Sequence, residues 1–148
     1  MRKINQAGIE FIVQEEGGCI LHVYKDIAGI DTIYVGHKVL PGEKFNNTLE
    51  EGMAIFAKQL AYFESEVERL VKVQISDNQF SALVDFTYNE GEGAFADSTL
   101  LKKLNSGDYS GAAAQFPLWH YVHIKGVLTH SDGLARRRAH EVALFFTE

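Results

Sequence analysis

Apolar residues recur at two different periods along this chain, and the switches between them divide it into elements. Asn5 to about Glu15 reads as a first helix, with Ile4, Ile9, Phe11, Ile12 and Val13 forming a wide apolar face. Gly17 and Gly18 end it, as glycines do just past a helix. Val23-Tyr24, Thr32 to Val35 and Val39-Leu40 then follow as short β candidates, separated by Gly29 and by Gly36-His37. They predict a small, twisted antiparallel sheet of about three strands. Pro41-Gly42 marks a turn, and Phe45-Asn46-Asn47 a loop.

Helical spacing dominates from there on. Thr48 to about Val71 is the longest segment, with Met53, Phe56, Ala57, Leu60, Phe63, Val67, Leu70 and Val71 in register and a capping-box pair at Thr48 and Glu51. A second capping box, Ser76 with Gln79, opens a helix to about Tyr88 that places Phe80, Leu83 and Val84 inside. The run Asn89 to Phe95 breaks it, Ser98 or Asp97 caps the next helix (Leu100, Leu101 and Leu104 inside), and Asn105-Ser106-Gly107 ends that one. Ser110 to Phe116 predicts a short helix stopped by Pro117. After the aromatic stretch Trp119 to Ile124, a loop from about Lys125 to Gly133 leads to a final helix. That helix has Leu134, Val142, Ala143, Phe145 and Phe146 inside and Arg136 to Arg138 near its start.

Composition narrows the picture. A chain of 148 residues suits one domain with a real core, and 46% hydrophobic with 23% charged residues is ordinary for a globular protein. No apolar run approaches the roughly 20 residues of a membrane span. The start, Met1-Arg2-Lys3-Ile4-Asn5-Gln6, lacks the apolar stretch of a signal peptide, so synthesis and retention in the cytoplasm are expected. Cys19 is the sole cysteine, which rules out an internal disulfide and fits a reducing compartment; a small filler in its turn suits it better than a reactive thiol. A net charge of −6 disfavours broad binding to nucleic acid or anionic membranes. Among the six histidines, His120-x-x-His123 and the pair Cys19 and His22 are the only close sets. Neither has the partner set of a zinc site, so no metal is expected.

The chemistry concentrates between Glu15 and His37. A carboxylate at a helix end, facing a carboxylate and a hydroxyl on a small sheet, suits glycoside hydrolysis, in which one acid protonates the leaving oxygen and a second group handles water or the developing cation. Three motifs lie here in order: Glu16-Gly17, Tyr24-Lys25-Asp26, and Gly29-Ile30-Asp31-Thr32-Ile33-Tyr34-Val35-Gly36-His37. They resemble those of the phage-type lysozymes, the T4 and P22 class of endolysins (glycoside hydrolase family 24). The likeness continues through Tyr88-Asn89-Glu90-Gly91-Glu92-Gly93-Ala94-Phe95, the stretch from Ser98 to Trp119, and Gly133 to Phe145, and so covers nearly the whole chain.

The resemblance implies a mainly helical α+β fold over residues 1–148. A β-containing lobe spans about 16–47, and the long helix joins it to a helical lobe formed by about 72–148 with the N-terminal helix. It places a catalytic trio on Glu16, Asp26 and Thr32, with Glu15 as the alternative acid. Glu16 would hold a proton near neutral pH, which burial at a helix–sheet junction favours; alone, it reads as a solvated residue at a frayed helix end. Asp26 would stay ionised beside the sugar and Thr32 would share the attacking water; their ordinary roles are a turn cap and a strand residue. The mechanism implied is inverting, with room for water between the carboxyl groups. Tyr88, Asn89 and Ser98 match positions lining the glycan groove, each with an ordinary role at a helix end or cap. One arginine of Arg136, Arg137 and Arg138 would pair with Glu16, against the plain reading of a solvated basic face, and His37 would be a structural partner behind the sheet.

Two departures stand out. Glu16 and Asp26 are 10 positions apart, one more than the family pattern, with Gly18 as the insertion, and Tyr34 replaces the first glycine of the G-x-G-H pair. The function implied is an endolysin that cuts the β-1,4 bond between N-acetylmuramic acid and N-acetylglucosamine in peptidoglycan. It would act as a monomer without cofactors, and a holin-type pore would release it to the wall. Two alternatives stay open: a lytic transglycosylase on the same scaffold, and an inactive glycan-binding protein.

Overall fold

A computed structural model describes residues 1–148. Helix α1 (Gln6–Glu15) is capped by the Asn5 side chain, which accepts from the Gly8 N–H. It ends with Glu16 in a helical conformation at the C-cap. Gly17 N–H donates to Gln14 O and Gly18 N–H to Val13 O, a Schellman closure that needs the left-handed φ of +84° at Gly17. The expected helix and its stop are both present.

Three antiparallel strands follow: β1 (Ile20–Lys25), β2 (Asp31–Tyr34) and β3 (His37–Lys38). β1 extends further than Val23-Tyr24, whereas Val39-Leu40 lie beyond the sheet and β3 falls two residues earlier. Between paired positions β1 takes four residue steps from Ile20 to Tyr24 while β2 takes two from Tyr34 to Thr32. The surplus is a bulge that leaves Leu21, His22 and Val23 exposed. Gly18, by contrast, is part of the helix closure, its N–H donating to Val13 O.

Tyr34 takes the conformation of the glycine it replaces, with φ of +59°. Its ring turns inward and is fully buried, edge-on to Phe45, with its hydroxyl accepting from the Asn47 N–H at 3.1 Å. Room for it exists because position 52 is glycine: a Cβ there would stand 2.6 Å from the Tyr34 ring and 2.7 Å from Cys19 Sγ. The large ring is accommodated inside the sheet lobe.

Helix α2 (Leu49–Leu70) joins the sheet to the remaining helices. Thr48 Oγ1 accepts from the Glu51 N–H, but Glu51 reaches the Asn46 N–H, so the expected capping box is only half made. Ser76 and Gln79 do close theirs at the start of α3 (Asp77–Glu90). α3 is the hub, packing against α1, α2 and the later helices α4 (Glu92–Asp97) and α7 (Asp132–Phe145). Between those two lie α5 (Thr99–Asn105), α6 (Tyr109–Ala113) and a 3-10 turn at Phe116–Leu118. Phe80, Phe86, Phe95, Phe116 and Phe145 meet in the buried core around α3. α4 and the end of α6 at Ala113, short of Phe116, differ from the expected breaks.

The segment 125–133, expected as a loop, is half of a β-hairpin. β4 (Tyr121–Ile124) pairs with β5 (Val127–His130) across a Lys125-Gly126 turn in which both residues have positive φ. In α7, Phe145 is buried but Ala143 and Phe146 are exposed, because the inward face is instead occupied by Arg137, Arg138 and Glu141.

Candidate active site

Helix α1 ends where β2 turns into β3, and the Schellman closure aims Glu16 into that junction. Its Oε2 accepts from Arg137 Nη1 at 2.6 Å, and its Oε1 lies against Gly36, where a Cβ would come within 2.2 Å. One carboxylate thus touches the sheet on one side and α7 on the other. Glu15, a residue earlier, points elsewhere, to His140 Nδ1 at 2.5 Å on the outer side of α1 and α7. Helix geometry separates the two acids by about 100°, and only Glu16 faces the sheet.

Asp26 sits in the turn after β1. Its Oδ1 accepts from the N–H groups of Ala28 and Ile30, both at 2.9 Å, and its Oδ2 pairs with Lys38 Nζ on β3. Burial works against its charge, but Lys38 and the two backbone donors outweigh that and hold the carboxyl below the usual carboxylate range. Thr32 on β2 is buried and donates its hydroxyl hydrogen to Ile30 O at 2.8 Å, leaving the oxygen as an acceptor. It pairs with Tyr24 and Lys38 on the flanking strands. The Tyr24 phenol is pushed up by burial and then by the charges of Glu16 and Asp26. Asp26 and Thr32 thus stand toward the β1–β2 turn, while Glu16 meets the sheet at the β2–β3 turn beside Gly36.

From α3, the Tyr88 hydroxyl donates to Val35 O at 2.5 Å, just before Gly36. Burial, then the nearby Glu16 charge, raises its phenol well above the ordinary range. Tyr88 also lines a cavity of about 550 Å³ beside Gly36, with Lys38, Lys58, Gln59 and Tyr62 around it. Asn89 keeps a buried Oδ1 with no partner. Ser98 is different. It is buried, its hydroxyl donates to Phe95 O and accepts from the Leu101 N–H, and it serves as the α5 cap. Its polar capacity is spent inside the protein, which favours the plain capping role over an open groove contact. His37 is held between Glu43 (2.9 Å) and the Gln59 amide (2.6 Å) and lines the same cavity as Tyr88.

Two residues of this region were not singled out in the sequence. Asp85 on α3 is fully buried and receives two N–H groups of Arg137, from Nε at 3.0 Å and Nη2 at 2.7 Å. A lone acid between Val84 and Phe86 in an apolar helix was the available signal. Lys38 had none beyond its place next to His37. Of the three arginines, Arg136 is exposed, Arg137 serves Glu16 and Asp85, and Arg138 is fully buried against Glu141 and Glu90. The face read as solvated is thus largely an internal ion network.

The phage lysozyme family profile matches residues 14–141. The endolysin of Salmonella phage P22 is 37% identical over 99% of this chain and 100% of its own length. Among solved structures, the muramidase domain of SpmX from Asticaccaulis excentricus superimposes with a TM-score of 0.87 at 32% identity, covering 100% of both chains. The endolysin from Escherichia coli O157:H7 phage FAHEc1 does so with a TM-score of 0.85 at 33% identity, over 98% of this chain and 94% of that one.

Proposed function

We propose a mechanism from one premise: the chain belongs to the phage lysozyme family and is a glycoside hydrolase of the lysozyme type. Its function is that of an endolysin, a muramidase acting on peptidoglycan. In our reading the bond cut is the β-1,4 link between N-acetylmuramic acid and N-acetylglucosamine.

Glu16 is the general acid that protonates the leaving oxygen. Asp26, kept charged by Lys38 and two backbone donors, steadies positive charge at the sugar ring and takes a proton from water. Thr32, its hydroxyl hydrogen committed to Ile30, offers its oxygen as an acceptor to that same water. With water entering from the face opposite the leaving group, the outcome is inversion. Tyr88 supplies an aromatic wall. The observation that carries the reading is Glu16 itself, a carboxylate held between Gly36 and Arg137 while the acid beside it turns away.

The test is release of soluble fragments from purified Gram-negative peptidoglycan by the wild type, Glu16→Gln and Glu15→Gln. Loss in Glu16→Gln alone supports the assignment; loss in Glu15→Gln alone places the acid one residue earlier. No release by wild type at any pH sinks the enzyme reading. Reducing ends, without 1,6-anhydro ends, identify water as the acceptor. The protein is further proposed to act as a monomer that reaches the wall through a holin-type pore. Lysis on co-expression with such a pore, and its absence without one, checks that step.

A further inference from the structure

Glu16 meets one guanidinium, and that guanidinium is shared. Arg137 gives Nη1 to Glu16 but Nε and Nη2 to Asp85, so Asp85 holds the two-point grip and Glu16 the single contact. The Arg137 side chain is 7% exposed and that of Asp85 0%, so neither charge is diluted by solvent. A clamp between α3 and α7 would need only one of these anions.

We propose that Asp85 is a positioning residue for the acid: it takes up the charge of Arg137 and fixes the plane of its guanidinium, so that the remaining N–H orients Glu16 without stripping it of its proton. The inference rests on Glu16 being the general acid. Such a group must carry a proton when substrate arrives. An unshared arginine at 2.6 Å would favour the bare carboxylate. Asp85 opposes this from the far side of the same guanidinium, while the geometry that orients Glu16 is kept.

The charged neighbours on every packed element enter the account. Tyr24 comes from β1, Tyr88 and Asp85 from α3, and Arg137 and Glu141 from α7; Gly36 adds only backbone. Burial, then the neighbouring Asp85 carboxylate, raises the Glu141 carboxyl well above the usual range. Arg138 then pairs with Glu141 and Glu90 on the outer side of the network.

The experiment is the pH–activity profile on purified peptidoglycan for wild type, Asp85→Asn, Glu141→Gln and Asp85→Asn/Glu141→Gln, with thermal stability followed at each pH. Without Asp85, Glu141 is free to ionise and replace part of the lost charge; the double variant prevents this. The alkaline limb is expected to move down by about one pH unit in the double variant and less, in the same direction, in Asp85→Asn. It should stay in place in Glu141→Gln, whose neutral amide leaves the charge of Asp85 as it was. A purely structural Asp85 would lower the melting temperature and the plateau rate and leave the limb where it was, which overturns the proposal. If the double variant does not hold its fold, Asp85→Asn alone decides by the same criterion. Glu16→Gln locates any failure: if it is inactive while the limb is unmoved, only the role of Asp85 falls. If it retains hydrolysis, the acid assignment and the proposal fall together.

Discussion

Replacing Gly36 with alanine tests whether the sheet holds Glu16 in place. Gly36 has φ of +65°, so an alanine there costs about 1–2 kcal/mol in backbone strain before any contact is considered. Its methyl group would stand 2.2 Å from Glu16 Oε1 and 2.9 Å from Cδ. Reaching an ordinary separation of about 3.5 Å requires the carboxylate to retreat on the order of 1 Å. A free glutamate would swing aside at little cost, but this one is bonded to Arg137 at 2.6 Å through its other oxygen. Retreat stretches that bond or drags Arg137 off Asp85, and a hydrogen bond between charged groups contributes about 1.5–3 kcal/mol. A misplacement of this size costs roughly 100-fold in rate. Peptidoglycan release and thermal melting are the assays. Gly107→Ala is the control, since it brings comparable strain at φ of +87° just past α5, away from the acid, and meets nothing within 4 Å. Both variants should melt several degrees lower, about 2–4 °C for each kcal/mol, and only Gly36→Ala should lose about two orders of magnitude in kcat. Equal rates in the two variants would refute the reasoning.

Three further outcomes follow from the same contacts. Lys38→Met removes a partner of Asp26, whose carboxyl is held low by Lys38 and two N–H groups against the opposing effect of burial. The acid limb of the activity profile should therefore move to higher pH; a limb that stays put refutes the pairing. By linkage, a depressed carboxyl contributes stability above its unfolded value of about 3.9 that is lost as pH falls through the folded value, so acid melting of the variant should show a shallower loss below about pH 4. Tyr34→Gly relieves a left-handed side chain but empties a fully buried site, and the cavity cost of about 3–5 kcal/mol exceeds the strain of about 1–2 kcal/mol; a variant that unfolds at higher denaturant than wild type would contradict that balance. Ser98→Ala should cost about 1 kcal/mol of stability for the lost cap, with KM unchanged. A rise in KM without loss of stability would return Ser98 to the groove.

Legibility in the sequence depended on what kind of contact each feature needs. Helix α2 was readable because its 22 residues carry their own apolar period, and Ser76 with Gln79 because a capping box is local. The second hairpin was not. Its strands pair largely exposed residues around Lys125-Gly126, so neither a strong apolar alternation nor an Asn-Gly turn marks it. The inner face of α7 was misread for the complementary reason: Arg137, Arg138 and Glu141 are polar in sequence and buried in space, and their partners Asp85 and Glu90 lie about 50 positions away on α3. Glu16, Asp26 and Thr32 were visible as a motif, but that Glu16 rather than Glu15 turns to the sheet depends on the helix closing on Gly17 and Gly18. Tyr34 shows the limit of reading residue type alone, since what stands there is a tyrosine with a glycine's backbone, accommodated by a true glycine at position 52.

The bond between Glu16 and Arg137 joins residues 121 positions apart. A ribosome adding about 5–20 residues each second would finish the sheet and its acid many seconds before the arginine exists. During that interval the emerging chain carries Glu16 with no cation to orient it, and α3 holds Asp85 without the charge that justifies its burial. Assembly of this corner therefore waits on α7.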